Sequence, residues 1–226
     1  MKKFLCVTLI LLCAFSIFAE SKGSGASIGF GYQLSNAKAA KTTYQQLVEG
    51  DEISSTNELM LDIHGWSVLN QFLRLGGVIS GGYFDAKGEP TTTADVEEDE
   101  SGVGFGDARV AVMPEVFVNF GPINTAMGVA FGGGSIITFI NDDNGDNDGE
   151  MFFYGFMRPQ VTGAFDLGPL GVQVGAGYHL PLAGSDGEFW YIDEDDDTVS
   201  NEFEISEMSG FFVKMDIFFG SKTVEE

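Results

Sequence analysis

Along residues 26–34 apolar side chains alternate with small or polar ones, so that Ile28, Phe30, Tyr32 and Leu34 share one face and Gly29, Gly31 and Gln33 the other. A period of two predicts a strand with two unlike faces. The pattern returns over 58–66, where Leu59, Leu61 and Ile63 oppose Asp62 and His64, and over 72–84, where Leu73, Leu75, Ile79 and Tyr83 oppose Arg74, Ser80 and several glycines. It continues through 104–120, 123–139, 151–167, the stretch from 170 to 180, and 210–220, which reads GFFVKMDIFFG with Lys214 and Asp216 on the polar face. Eight stretches of this kind predict eight strands.

The connections fall into two classes that alternate strictly. Residues 35–57, 85–103, 140–150 and 183–204 are long and polar, whereas the breaks at 67–71, 121–122 and 168–169 are tight. Antiparallel strands joined in this way place every long loop at one end and every tight turn at the other. Two of the predicted hairpins resemble an internal repeat, MPEVFVNFGPINTAMGVAFG beside RPQVTGAFDLGPLGVQVGAGYH, with Gly128 matching Gly175 and Phe131 matching Tyr178. Pro114 and Pro159 lie within predicted strands, where the missing N–H predicts a bulge or interrupted pairing.

Alternation alone does not say which face is wet. The polar faces decide it, because they carry Asp62, Arg74, Arg109, Glu115, Arg158, Asp166, Lys214 and Asp216 interleaved with glycine and alanine. Glycine is a poor choice for the water-facing side of a strand and a good one where another group approaches closely. An arginine facing lipid at mid-bilayer costs about 2 to 4 kcal/mol, so Arg74, Arg109 and Arg158 are expected inside a closed barrel. There they form a luminal charge network with the acidic residues, with Glu115 as the expected central partner of Arg74, Arg109 or Arg158. Tyr154, Phe156 and Phe117 share this parity and are expected to fill space beside the glycines. Glu207 has the opposite, lipid-facing parity, which fits only a position beyond the bilayer.

The N-terminus, MKKFLCVTLILLCAFSIFAE, is two lysines, an apolar run and a small residue at Ala19. It predicts a secretory signal peptide over 1–19, followed by a barrel over 20–226. Its apolar run falls short of the roughly 20 residues of a membrane helix. Cys6 and Cys13 are the only cysteines and both lie in this segment, so the exported chain has no thiol chemistry. The 226 residues include 31 glycines and 21 phenylalanines, which speak for an ordered β-rich molecule. The formal charge is −23, and the four long loops hold 24 of the 34 acidic residues against Lys38, Lys41 and Lys87 alone. Nucleic acid would be repelled.

With these features and the aromatic-ended FFVKMDIFFG in view, the chain resembles the superfamily of small outer-membrane barrels that includes OmpX, OmpW and the OmpA transmembrane domain. The resemblance is architectural. It implies an all-β, eight-stranded antiparallel up-and-down transmembrane barrel, long loops extracellular and tight turns periplasmic. It also implies a C-terminal aromatic read by the barrel-assembly machinery. Here Phe219 is followed by GSKTVEE, so that signal would be slightly internal.

Candidate chemistry is sparse. Asn144, Asp146 and Asp148 partly imitate a calcium loop, but Gly155 stands where the bidentate acid belongs. His64 and His179 are the only histidines; both have luminal parity and neither sits in a recognisable nucleophile motif. No enzymatic activity and no cofactor are expected. Trp66, Tyr83, Phe120, Phe131, Phe165, Trp190 and Tyr191 are expected mainly as interfacial girdle residues. Trp190 and Tyr191, in an acidic loop, are also candidates for a contact patch. The expected role is structural or surface-interacting, with outer-membrane lipids as surroundings and divalent cations or extracellular molecules as partners of the loops. The alternative is a narrow channel or transporter for small solutes, hydrophobic ones included.

Overall fold

The computed structural model describes residues 23–35, 38–47, 57–86, 102–141, 151–168, 170–184, 187–192 and 198–220. The signal segment 1–19 and the calcium-like residues Asn144, Asp146 and Asp148 lie outside them. Eight strands close into an antiparallel barrel. They are β1 (Ser24–Ser35), β2 (Asn57–Val68), β3 (Leu73–Ala86), β4 (Gly102–Phe120), β5 (Ile123–Asn141), β6 (Met151–Asp166), β7 (Leu170–Gly184) and, after an excursion, β10 (Gly210–Gly220). Each pairs with its neighbour in sequence, and β10 pairs with β7 on one side and β1 on the other. Closure leaves the barrel sheet without an edge.

The turn chemistry follows from the residues at the breaks. Asn70 accepts the N–H groups of Phe72 and Leu73 at 3.0 and 2.9 Å between β2 and β3. Gly121 and Gly168 take φ of +65° and +103°, conformations that an L side chain resists. Asp166 accepts the N–H of Gly168 at 2.8 Å, which tightens the last of these turns.

Both prolines interrupt pairing on the side of the following strand. In β4–β5 the register runs to Val112↔Phe131 and resumes at Glu115↔Gly128, skipping Pro114. In β6–β7 it skips from Met157↔Leu180 to Gln160↔Gly177 across Pro159, with a register shift nearby between Gly155 and Phe156. On their other flanks both prolines stay in register, opposite Leu75 and Val129.

The barrel is inside out. Phe30, Phe120 and Phe211 are 65, 66 and 67 % exposed on its outer wall, whereas Arg74, Arg109 and Arg158 are 1 to 2 % exposed within. A row of β-branched residues crosses the outer wall, with Ile217 opposite Ile28, Ile28 opposite Ile63, Ile63 opposite Ile79 and Ile79 opposite Val110. Tyr83, Phe131 and Phe165 also face outward, as girdle residues would. Trp66 does not. It continues the parity of Asp62 and His64, is fully buried, and packs against Phe218 with ring centroids 6.3 Å apart. Trp190 and Tyr191 fall on β8, and their side chains lie outside the described set.

The segments expected as plain loops contain structure at the loop end. Helix α1 (Lys38–Leu47) follows β1, and a two-stranded hairpin of β8 (Gly187–Ile192) and β9 (Thr198–Phe203), with a 3-10 turn (Ile205–Met208), joins β7 to β10. Ala39, Ala40, Phe203 and Met208 pack with Phe84, Phe105, Ile136 and Phe152 into an apolar cover over the lumen. Phe203 lies 5.6 Å from Phe105 and 5.4 Å from Phe152 between centroids. At the opposite end Trp66, Val68, Phe117, Ala126, Ala164 and Phe218 form a second apolar layer.

Candidate functional site in the barrel lumen

Between these apolar layers the inward residues of the strands build ion pairs. Nearest the turn end, Arg74 of β3 meets Glu115 of β4, its registered partner, with Nε donating at 2.5 Å and Nη2 at 3.2 Å. The guanidinium also stands 5.6 Å from the Trp66 ring and 5.5 Å from Phe117. His64 Nε2 lies 3.9 Å from the same Glu115 carboxylate.

The middle layer is made by β2, β6, β7 and β10. Arg158 donates to both oxygens of Asp62, at 3.2 and 2.6 Å, and Lys214 donates to Asp62 at 2.9 Å. Lys214 also lies 3.4 Å from Asp216, which accepts from Gln173 at 2.8 Å. Arg158 covers the Phe212 ring at 4.1 Å. Charge-assisted, two-pronged bonds of this kind fix both partners in place.

Nearest the cover, Arg109 binds two carboxylates, Asp107 through Nε and Glu58 through Nη2. Tyr154 donates to Asp107 at 3.0 Å, and Gln33 donates to Glu58 at 2.9 Å and to the Met208 carbonyl at 2.8 Å. Gln33 therefore ties the ionic layer to the cover. His179 is buried beside Phe156, with centroids 5.0 Å apart, and among the described residues neither of its ring nitrogens has a hydrogen-bond partner.

Seven of the eight residues expected in the lumen thus lie there, in three layers rather than one network. The exception is Asp166, which is exposed at the strand end and serves the turn through Gly168. Glu115 pairs with Arg74, whereas Arg109 binds Asp107 and Glu58 and Arg158 binds Asp62, each at a different height. Glu58, Asp107 and Gln33 are additional members. Parity held the signal for them, since Glu58 shares the face of Asp62 and Asp107 that of Arg109.

Glu207 is not on a strand. It lies in the 3-10 turn, where its carboxylate accepts the N–H of Ala39 at 2.7 Å and caps α1 from a distant part of the chain. Burial pushes the Glu207 carboxyl up from its ordinary value against the pull of the helix N–H groups. Among the described residues no three His, Cys, Asp or Glu side chains converge to hold a metal ion.

No protein-family model and no curated protein matches the chain in sequence. Solved structures do match its shape. Neisserial surface protein A superposes with a TM-score of 0.53 at 8 % identity, covering 88 % of this chain and 97 % of that one. The fold is that of the small eight-stranded outer-membrane barrels. A major outer membrane protein from Thermus thermophilus gives 0.50 at 9 % identity over 88 % of this chain and 99 % of that one. Ail of Yersinia pestis gives 0.49 at 9 % identity over 89 and 100 %. Such low identity carries the outer-membrane barrel architecture and nothing finer.

Proposed function

We propose that the chain is an integral outer-membrane protein with a structural or surface-interaction role, holding acidic loops outside the cell and tight turns in the periplasm. The observation that carries this reading is the inversion of the barrel, with guanidinium and carboxylate groups sealed inside and phenylalanine, leucine and valine outside. Such a wall is stable only against hydrocarbon. Neisserial surface protein A, whose fold it shares, is by its name a surface protein. The signal-like N-terminus supplies export, and the barrel-assembly machinery the insertion. Outer-membrane lipids then surround the wall, and the loop acids offer themselves to divalent cations or extracellular molecules. The role proposed is not enzymatic.

Protease added to intact cells tests the display. Cleavage within 85–103 and 183–204, with the barrel fragments still protected, is the expected result. If both segments resist on intact cells yet are cut after lysis, the loops face the periplasm and the reading fails.

A further inference from the structure

The buried charges of the barrel strands do not balance. Among the described residues the lumen holds five acids, Glu58, Asp62, Asp107, Glu115 and Asp216, against four arginine and lysine cations, Arg74, Arg109, Arg158 and Lys214, with the histidines His64 and His179 counted apart. The middle layer pairs two with two and the Arg74 layer one with one, so the surplus negative charge belongs to Glu58 and Asp107, which share Arg109. The groups facing this pair are Arg109 of β4, Tyr154 of β6 and the amide of Gln33 of β1, with His179 of β7 beyond the guanidinium. Among the described residues none supplies a second positive charge to the pair, and an unpaired charge sealed under an aromatic cover is strongly disfavoured.

Two further features mark the place where compensation must sit. Asp107 Oδ1 is buried and has no hydrogen-bond partner among the described residues. Glu58 Oε1 and that same Asp107 Oδ1 converge on the point that a Cβ on Gly82 would occupy. The bare glycine leaves open the space into which the two carboxyl oxygens converge. We propose that Glu58 and Asp107 hold one proton between them, a carboxyl–carboxylate bond that neutralises the lumen and supplies the donor that Asp107 Oδ1 lacks. Like-charged carboxyls at contact behave in this way because both cannot ionise together. Through Gln33, which bonds both Glu58 and the Met208 carbonyl, the bound proton is linked to the apolar cover.

The full chain, refolded in detergent at neutral pH, is examined by infrared spectroscopy for the carbonyl stretch of a protonated carboxyl. A band that shifts in heavy water is expected in the wild type and in Glu207→Gln, and is expected to vanish in both Glu58→Gln and Asp107→Asn. Glu58→Gln keeps the single negative charge of the protonated pair, which Arg109 offsets, so it should keep the wild type's heat-modifiable migration in SDS gels. Absence of the band from the wild type, its persistence in either dyad variant, or its loss in Glu207→Gln overturns the proposal. So does failure of Glu58→Gln to fold.

Discussion

Arg74 shows what a luminal charge is worth and what parity can tell about it. Alternation assigns Arg74 and Glu115 to the same interior, but it gives a face and not a height. Their meeting depends on the β3–β4 register, which places them directly opposite. Arg109 sits six residues up β4 from Glu115, toward the cover, so it finds Asp107 and Glu58. This is why the membership of the lumen was largely legible in the sequence while its pairing was not. Trp66 departs from the expected girdle for a different reason: an aromatic near a strand end reads as a girdle residue by type, but its parity with Asp62 and His64 turns it inward. The Arg74 pair also makes a clear energetic prediction. Arg74→Met leaves Glu115 charged and buried, which should cost about 3 to 5 kcal/mol, read as a lower urea midpoint for the protein refolded in lipid vesicles. Adding Glu115→Leu removes the stranded charge and should recover most of that loss. A double variant no more stable than Arg74→Met would show that the ion pair itself, and not charge burial, sets the cost.

At the level of elements, the strands were legible because each carries its own two-residue rhythm and each turn its own chemistry. The two prolines likewise forecast the gaps in β4–β5 and β6–β7. Helix α1 escaped because the buried positions among its described side chains, Ala39, Ala40 and Thr43, are small and make no apolar stripe that the sequence could announce. Its N-terminus is capped by Glu207, over 160 residues away, which no local pattern reveals. The β8–β9 hairpin was hidden in the same way, its short strands set within acidic sequence. The outer wall supplies the element-scale test. Ile79 lies in the row that runs from Ile217 to Val110, half exposed and flanked by Ile63 and Val110. Ile79→Arg should cost about 2 to 4 kcal/mol in lipid vesicles, while Ser80→Ala, one residue along and facing inward, should cost far less because it removes one small hydroxyl and adds no charge. If Ile79→Arg proves as benign as Ser80→Ala, the wall does not face hydrocarbon and the inside-out reading is wrong.

At the scale of the whole molecule, the lumen is a stack. From the loop end it runs through the apolar cover, the Arg109 layer, the Arg158–Lys214 layer, the Arg74 layer and the Trp66–Phe218 layer. Eight strands enclose a bore only wide enough for side chains, and here the side chains that fill it bond across it from opposite walls, Arg158 of β6 to Asp62 of β2 among them. A solute moving along the axis would have to break these pairs in a place where their partners cannot be replaced by water, and would also have to push open the apolar layer at each end. A continuous pore for small solutes, the alternative that inward glycines suggested, therefore finds its volume already taken; Gly82, for one, gives its space to Glu58 and Asp107. Purified barrels reconstituted in planar bilayers should accordingly show no steady single-channel conductance in moderate salt. Truncating the middle layer with Arg158→Ala and Lys214→Ala together should introduce flicker or leak if the turn-end layer opens transiently, and otherwise leave the bilayer silent. A steady, ohmic conductance from the wild-type protein would mean that the stack moves aside as a unit, and the channel reading would then replace the structural one.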